Sequence, residues 1–238
     1  MKSSLFAESL PSTRHERWGL LDRLIANWFD PLPASDVVTE LEIRSAEQIL
    51  GISLPLALRE WYLRFGCHED IWSCQDFFHR PSSLKIFGGD LNLMVENQGC
   101  VNWFIRGEDL HLEDPPVYVG DIVKEEEADS ISSFAIQSAV QGIKFGSNVP
   151  HLINGQVEDQ SAIAKMMTLL PRLPFPELHW PVETKIFGTD ELIVELDGDV
   201  WMWVSARNER VLEEFKSLTL GGVDWQDTRD PANQQLCG

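Results

Sequence analysis

Residues 39–66 read TELEIRSAEQILGISLPLALREWYLRFG and encode two short helices joined by a sharp turn. Thr39 and Glu42 have capping-box spacing, so a hydroxyl and a carboxylate can satisfy backbone N–H groups at the first helical turn. Ile43, Ala46, Ile49 and Leu50 then line one face at helical period, and Gly51 supplies the left-handed residue that ends the helix. Pro55 suits the first position of the second helix, where its missing N–H is no loss. Leu58, Trp61, Tyr62 and Phe65 continue the helical period, and Gly66 closes the pair. This stretch specifies a scaffold and offers no catalytic group, which tilts the reading toward a binding protein.

The chain has 238 residues, room for one large domain or two small ones, and 43% of them are hydrophobic, with nine Trp, enough for a real core. No apolar run reaches the roughly eighteen residues of a membrane span. The opening MKSSLFAESLPS lacks a basic region followed by an apolar stretch, so no signal peptide is expected. Cys67, Cys74, Cys100 and Cys237 are too few and too irregularly spaced for a disulfide framework. A cytoplasmic location is the expectation. The charge balance is 19 basic against 38 acidic residues, net −19, and residues 101–200 hold 6 basic and 18 acidic, hence 12 of those 19 net charges. Such a field disfavours nucleic acid and anionic membrane as partners and speeds encounter with a basic protein. The same balance also suits solubility alone.

Outward from the helix pair, residues 13–29 read as an amphipathic helix capped by Ser12 or Thr13, with Trp18, Leu21, Leu24, Ile25, Trp28 and Phe29 on one face. DPLPASD connects it to the pair. Residues 67–82 have no clean period. Strands are expected near 84–87, 91–96 and 100–106, with a hairpin turn at Asn97-Gln98-Gly99, and another in DPPVYVG. Glu125 to Asp129 reads as a short acidic turn, and residues 130–142 as a helix burying Ile131, Phe134, Ala135, Ser138 and Ala139. Farther on, PRLPFPELHWP should be an extended, semi-rigid connector. KIFGTDELIVELDGDVWMWVSAR is a hairpin turning at Asp197-Gly198, and Asn208 caps a helix with Val211, Leu212 and Phe215. The tail from Gly221 is expected to be loosely held. KIFGGD at 85–90 echoes KIFGTD at 185–190, and Trp103 and Trp203 keep the same offset; two unrelated hairpins are the preferred reading over a duplicated unit.

Catalytic patterns are not apparent. Cys67, His68, Cys74 and His79 are the one cluster resembling a metal site, but their spacing matches no zinc pattern, and buried thiols are the expectation. There is no G-x-S-x-G, P-loop or H-E-x-x-H, and Gly88-Gly89 reads as a bulge or turn. No catalytic, cofactor-binding or metal-binding residue is assigned. Trp201 and Trp203, and Trp103 with Val101 and Ile105, are expected to pack in the core rather than bind bases, since the interleaved Lys and Arg of a single-strand binder are absent. The candidate partner face is acidic: Glu108, Asp109, Glu113, Asp114, Asp121, Glu125, Glu126, Glu127 and Asp129. Acids at an interface rim raise association rate more than affinity.

The stretch E-x-x-x-x-A-E-x-x-L-G-x-x-L-P, Glu42 to Pro55, resembles the opening of the SUKH superfamily. The helix ending in Phe65-Gly66, the hairpin through Asn102-Trp103-Phe104, the strand opening with Asp114-Pro115-Pro116-Val117 and the helix after the acidic run are similar in order. The match covers roughly residues 36–145, and the hairpin with Trp201-Met202-Trp203-Val204 looks like the C-terminal part of longer bacterial members. The resemblance implies an α+β fold, a mainly antiparallel sheet with helices packed against it. The chain is expected to divide into an N-terminal helix and connector at 1–35, a SUKH-like domain at 36–145, and a C-terminal hairpin-helix extension at 146–238 packed on the same domain. The long N-terminal helix and the Pro-rich connector depart from the family's pattern, so the resemblance itself does not say how they pack. The resemblance further implies a non-enzymatic immunity protein that neutralises a polymorphic toxin, a basic nuclease or deaminase domain, without a cofactor. The alternative is a scaffold or regulatory module like the fungal regulators of cell-wall synthesis. Ile43, Leu50, Leu54 and Trp61 are its expected core residues.

Overall fold

In the computed structural model the chain is described over residues 9–31, 33, 36–145, 151–219 and 221–226. It is an α+β protein whose described residues form two compact units, one within 11–145 and the other comprising 9–10 and the described part of 151–226. The first begins with α1 (Arg14–Trp28), opened by a reciprocal capping box between Thr13 and Glu16, with all six apolar residues of its expected face buried. Helix α2 (Glu40–Leu50) has the same box at Thr39 and Glu42 and stops at Gly51, φ 70°. Pro55 is the cap of α3 (Leu56–Phe65), one position before the helix. Arg59 ties the two helices by pairing with both Glu40 and Glu47. Ile43 and Ala46 are buried, but Ile49 is 81% exposed and Leu50 half-buried. Ile49 stands about 120° round the helix from Ile43, off the buried stripe.

The irregular stretch 67–82 contains α4 (Glu69–Trp72) and the two-residue strand β1 (Phe77–Phe78). Strands β2 (Lys85–Phe87), β3 (Asp90–Val95), β4 (Asn102–Ile105), β5 (Val117–Gly120) and β6 (Lys124–Ala128) follow, then α5 (Ile131–Phe145). The sheet is antiparallel, in the order β1-β3-β4-β5-β6, with β2 also on β3. The acidic run expected as a turn is therefore an edge strand, paired with β5 on one side only, with Glu125 and Glu126 exposed. The core centres on Trp61, whose ring stacks on Phe78 at 4.4 Å and meets Trp72 edge-on at 5.0 Å. Helices α1, α3 and α4 all pack on α5, so α1 lies within the same unit as residues 36–145 rather than apart from it.

The second unit holds β7 (His151–Val157), α6 (Gln160–Leu169), β8 (Thr184–Thr189), β9 (Leu192–Asp197), β10 (Trp201–Ala206), α7 (Glu209–Thr219) and β11 (Val223–Gln226). Its antiparallel sheet runs β11-β7-β10-β9-β8. Three elements here had no forerunner in the sequence reading: β7, α6 and β11. The last occupies the start of the tail expected to be loose; Cys237 and the rest of that tail lie outside the described residues. The core side of β10 is Met202, Val204 and Ala206, whereas Trp201 and Trp203 are half-buried on the opposite face, reversing the expected parity. The KIFG echo is out of register: β2 turns to β3 between Phe87 and Asp90, β8 to β9 between Thr189 and Leu192.

Two tests follow from this packing. A Cβ on Gly142 of α5 would lie 2.5 Å from the Ile71 carbonyl oxygen of α4. Helix propensity alone favours Gly142→Ala by up to about 1 kcal/mol, but overpacking costs about 1–3 kcal/mol, so Tm should fall. A rise in Tm would mean α4 yields easily. Near the β3–β4 turn, burial pushes the Asp76 carboxyl up to about 6, against a hydrogen bond from the Asn97 amide. The folded chain then keeps a proton that the unfolded chain has released, so stability declines as pH rises from about 4 to 6. Asp76→Asn should raise stability at neutral pH by on the order of 1 kcal/mol, allowing for solvent screening, and leave it unchanged near pH 4; thermal melts at the two pH values check this.

Candidate partner-binding surface

Alternation along the first sheet sorts its residues onto two faces. Leu91, Trp103, Ile105, Val117 and Val119 are buried on the helix side, where the Trp103 ring meets Phe134 of α5. The opposite face carries a row across four strands: Asn92 beside Phe104, Phe104 beside Tyr118, Tyr118 beside Glu126. A second row joins Asn102, Gly120 and Lys124. Phe104 and Tyr118 stack with centroids 6.1 Å apart. The Arg106 guanidinium lies 3.8 Å over Tyr118 and the Lys124 ammonium 4.3 Å over Phe104. Lys124 also pairs with Asp90, whose other oxygen accepts from the Gly107 amide at 2.9 Å. Both cations are thus engaged, and their aromatic partners are nearly covered.

Next to this row is a cleft of about 420 Å³ between Phe87 and Phe104, with Asn92 and Asn102 in its lining and Asp121 at its side. Asn92 Nδ2 donates to Asn102 Oδ1 at 2.9 Å, while Asn92 Oδ1 is buried with no hydrogen-bond partner. Nothing in the charge pattern pointed to these residues. The parity Asn102-Trp103-Phe104-Ile105-Arg106 could have: the odd positions are apolar core, so the even ones face outward.

The nine acidic residues expected on the partner face separate into three groups. Glu108, Asp121 and Glu126 are exposed around the aromatic row, with the half-buried Asp109 in the turn that follows β4. Glu125 is exposed on the edge strand with the opposite parity. The other four are engaged with the helices or withdrawn from the surface. Glu113 pairs with Arg14 at 2.9 Å. Asp114 accepts the Ser132 amide at 3.0 Å and its hydroxyl at 2.6 Å; burial nevertheless holds its carboxyl above the ordinary value. Asp129 accepts from Ser133 at 2.7 Å and Ser130 at 2.9 Å and pairs with Arg17; burial works against its charge, but these partners prevail and hold it below the ordinary carboxylate value. Glu127 lies where the β5–β6 register shifts and is 1% exposed. That side chain is turned into the unit and is not part of an exposed acidic surface.

Of the metal-like cluster, burial pushes the Cys67 thiol up to about 12 and Cys74 up to about 11, which makes both poor thiolates at neutral pH. Among the described residues no group of three or more His, Cys, Asp and Glu side chains could hold a metal ion, and no helix is long and apolar enough to cross a membrane. No protein-family model, curated protein or solved structure matches the chain.

The three consecutive glutamates of β6 should therefore behave differently. Glu125→Lys with Glu126→Lys is expected to leave Tm within about 2 °C of the parent, since both are exposed. Glu127→Lys should lower stability by about 3 kcal/mol or more by burying a charge of the wrong sign. Equal melting temperatures for the two variants would contradict the burial of Glu127.

Proposed function

We propose that this chain is a non-enzymatic immunity protein that binds a basic toxin domain through the acidic rim of the first sheet's outer face. The observation that carries the reading is the composition of that face: Glu108, Asp121 and Glu126 are exposed around it, with Asp109 half-buried beside them, against Arg106 and Lys124. Lys124 pairs with Asp90, and Arg106 lies over Tyr118 and within 3.9 Å of Glu108, so the outward charge of this face rests chiefly on Asp121 and Glu126, with Glu125 exposed on the same edge strand. A toxin acting on nucleic acid needs Lys and Arg in its substrate groove, and an acidic surface competes with phosphates for them. The resemblance of residues 42–66 and 102–117 to SUKH immunity proteins supports the same reading, as does a scaffold whose conspicuous motifs are caps and core.

Co-expression with the toxin domain encoded beside the gene should restore growth. The purified pair should associate roughly tenfold more slowly when salt is raised from low to several hundred millimolar. Glu125→Lys with Glu126→Lys should slow association about fivefold with little effect on dissociation. A tight complex whose association rate ignores both salt and these substitutions would remove the electrostatic mechanism. A neighbourhood without a toxin, with capture of a cellular regulator instead, would replace immunity by a scaffold role.

A further inference from the structure

We propose that the cleft between Phe87 and Phe104 receives an arginine side chain of the basic partner, an inference that rests on the partner reading above. The site is defined by what it lacks. Asn92 is 5% exposed, and its amide nitrogen is used on Asn102, yet its Oδ1 has no donor. A buried amide oxygen left unpaired is unfavourable, so an N–H supplied from outside gains more there than at a wet surface. Asp121 supplies a second acceptor: it is exposed and has no ion pair or hydrogen bond among the described residues. Asp90 is already satisfied by Lys124 and the Gly107 amide. The cleft therefore offers two unspent acceptors, Asn92 Oδ1 and the Asp121 carboxylate, beside one unspent donor, Asn102 Nδ2.

Acceptors beside aromatic walls favour a planar cation with several N–H donors and an apolar stem. Guanidinium offers a fork of donors, stacks on rings and is weakly hydrated. An ammonium is strongly hydrated and does not stack, and an anion would meet Asp121 with Lys124 already neutralised. Phe87, 59% exposed, presents an open ring for stacking. Asn92 Oδ1 is covered, and Phe87, opposite Asp90 on a three-residue strand at the sheet edge, lines the cleft immediately before Gly88-Gly89. The volume of about 420 Å³ exceeds one side chain and accommodates the flanking partner backbone. Beyond Asp121, Ile122 is 93% exposed, so apolar surface adjoins the acceptor pair. Arginine anchored in a pocket with apolar surroundings is a frequent binding hot spot.

The test titrates isotope-labelled full-length chain with Nα-acetyl-arginine methylamide, with the lysine analogue and inorganic phosphate in parallel. The Asn92 and Asn102 side-chain amides and the Gly120 backbone amide are followed by NMR. The arginine compound should shift these signals saturably, at least about fivefold more tightly than the lysine compound, with no response to phosphate. Phe87→Ala and Asp121→Asn, both at exposed positions that leave the core intact, should each weaken binding about two- to fivefold. No shift up to tens of millimolar, an equal response to lysine, a phosphate-driven shift, or unchanged affinity in both variants would overturn the assignment. A chain that fails this titration but still captures a basic toxin salt-dependently loses the pocket and keeps the partner reading; one that passes and captures no basic protein loses the partner reading.

Discussion

Burial of α5 is the constraint on which the first unit depends. Thirteen of its fifteen residues are buried, so it serves as an interior rod, with α1, α3 and α4 on it and β6 running into its N-terminus. A helix inside a protein must have its first-turn N–H groups satisfied without water. Here Asp114 takes the Ser132 amide and the Ser130 hydroxyl takes the Ser133 amide, while Arg17 from α1 bridges Ser130 and Asp129. Carboxylates also suit the positive end of the helix dipole. Glu113 reaches Arg14 of α1, and its backbone carbonyl accepts the Ala57 amide of α3. Acids that look alike in sequence are therefore divided by topology: those beside the α5 N-terminus hold helices together, and those on the far side of the sheet remain available to solvent.

Elements that carry their own stop and start signals were legible. The Thr39/Glu42 capping box and the Asn208 cap formed as the spacing requires, and Thr13, one of the two expected caps of α1, caps it in a box with Glu16, because this chemistry is local. The turn at Asp197-Gly198 likewise formed, with Gly198 and Asp199 both at positive φ. What failed depends on surroundings. In β7, HLINGQV, Asn154 is buried alongside Ile153, so no polar–apolar alternation marks the strand. In β6 the glutamates outweigh strand propensity, and only pairing with β5 makes the segment extended. Ile49, Trp201 and Trp203 were misplaced because period locates a stripe but cannot say which neighbouring element covers its margin.

The same distinction governs the site. Net charge and the acidic stretch directed attention to residues 101–129. They could not reveal that Glu127 turns inward at a register shift, or that Asp114 and Asp129 serve α5. Nor could charge counting find Asn92, Asn102, Phe104 and Tyr118, which lie up to 26 positions apart and are brought into adjacent rows only by cross-strand pairing.

An acidic rim around two cations near the centre of the proposed partner face looks contradictory until their partners are considered. Arg106 lies over Tyr118 and Lys124 over Phe104, and Lys124 is closed further by Asp90. These contacts lower the repulsion among nearby carboxylates and cover rings that would otherwise be exposed. They also place the unbalanced charge at the margin, on Asp121 and Glu126, with Glu108 paired to Arg106 at 3.9 Å, and leave the middle of the face closer to neutral. A marginal field acts at distance and governs the encounter rate, whereas a near-neutral, partly desolvated centre is where contacts determine how long a complex lasts. On the proposed partner reading, steering and retention fall to different residues of one sheet face, so a charge substitution at the rim and a shape substitution at the cleft should act on different rate constants.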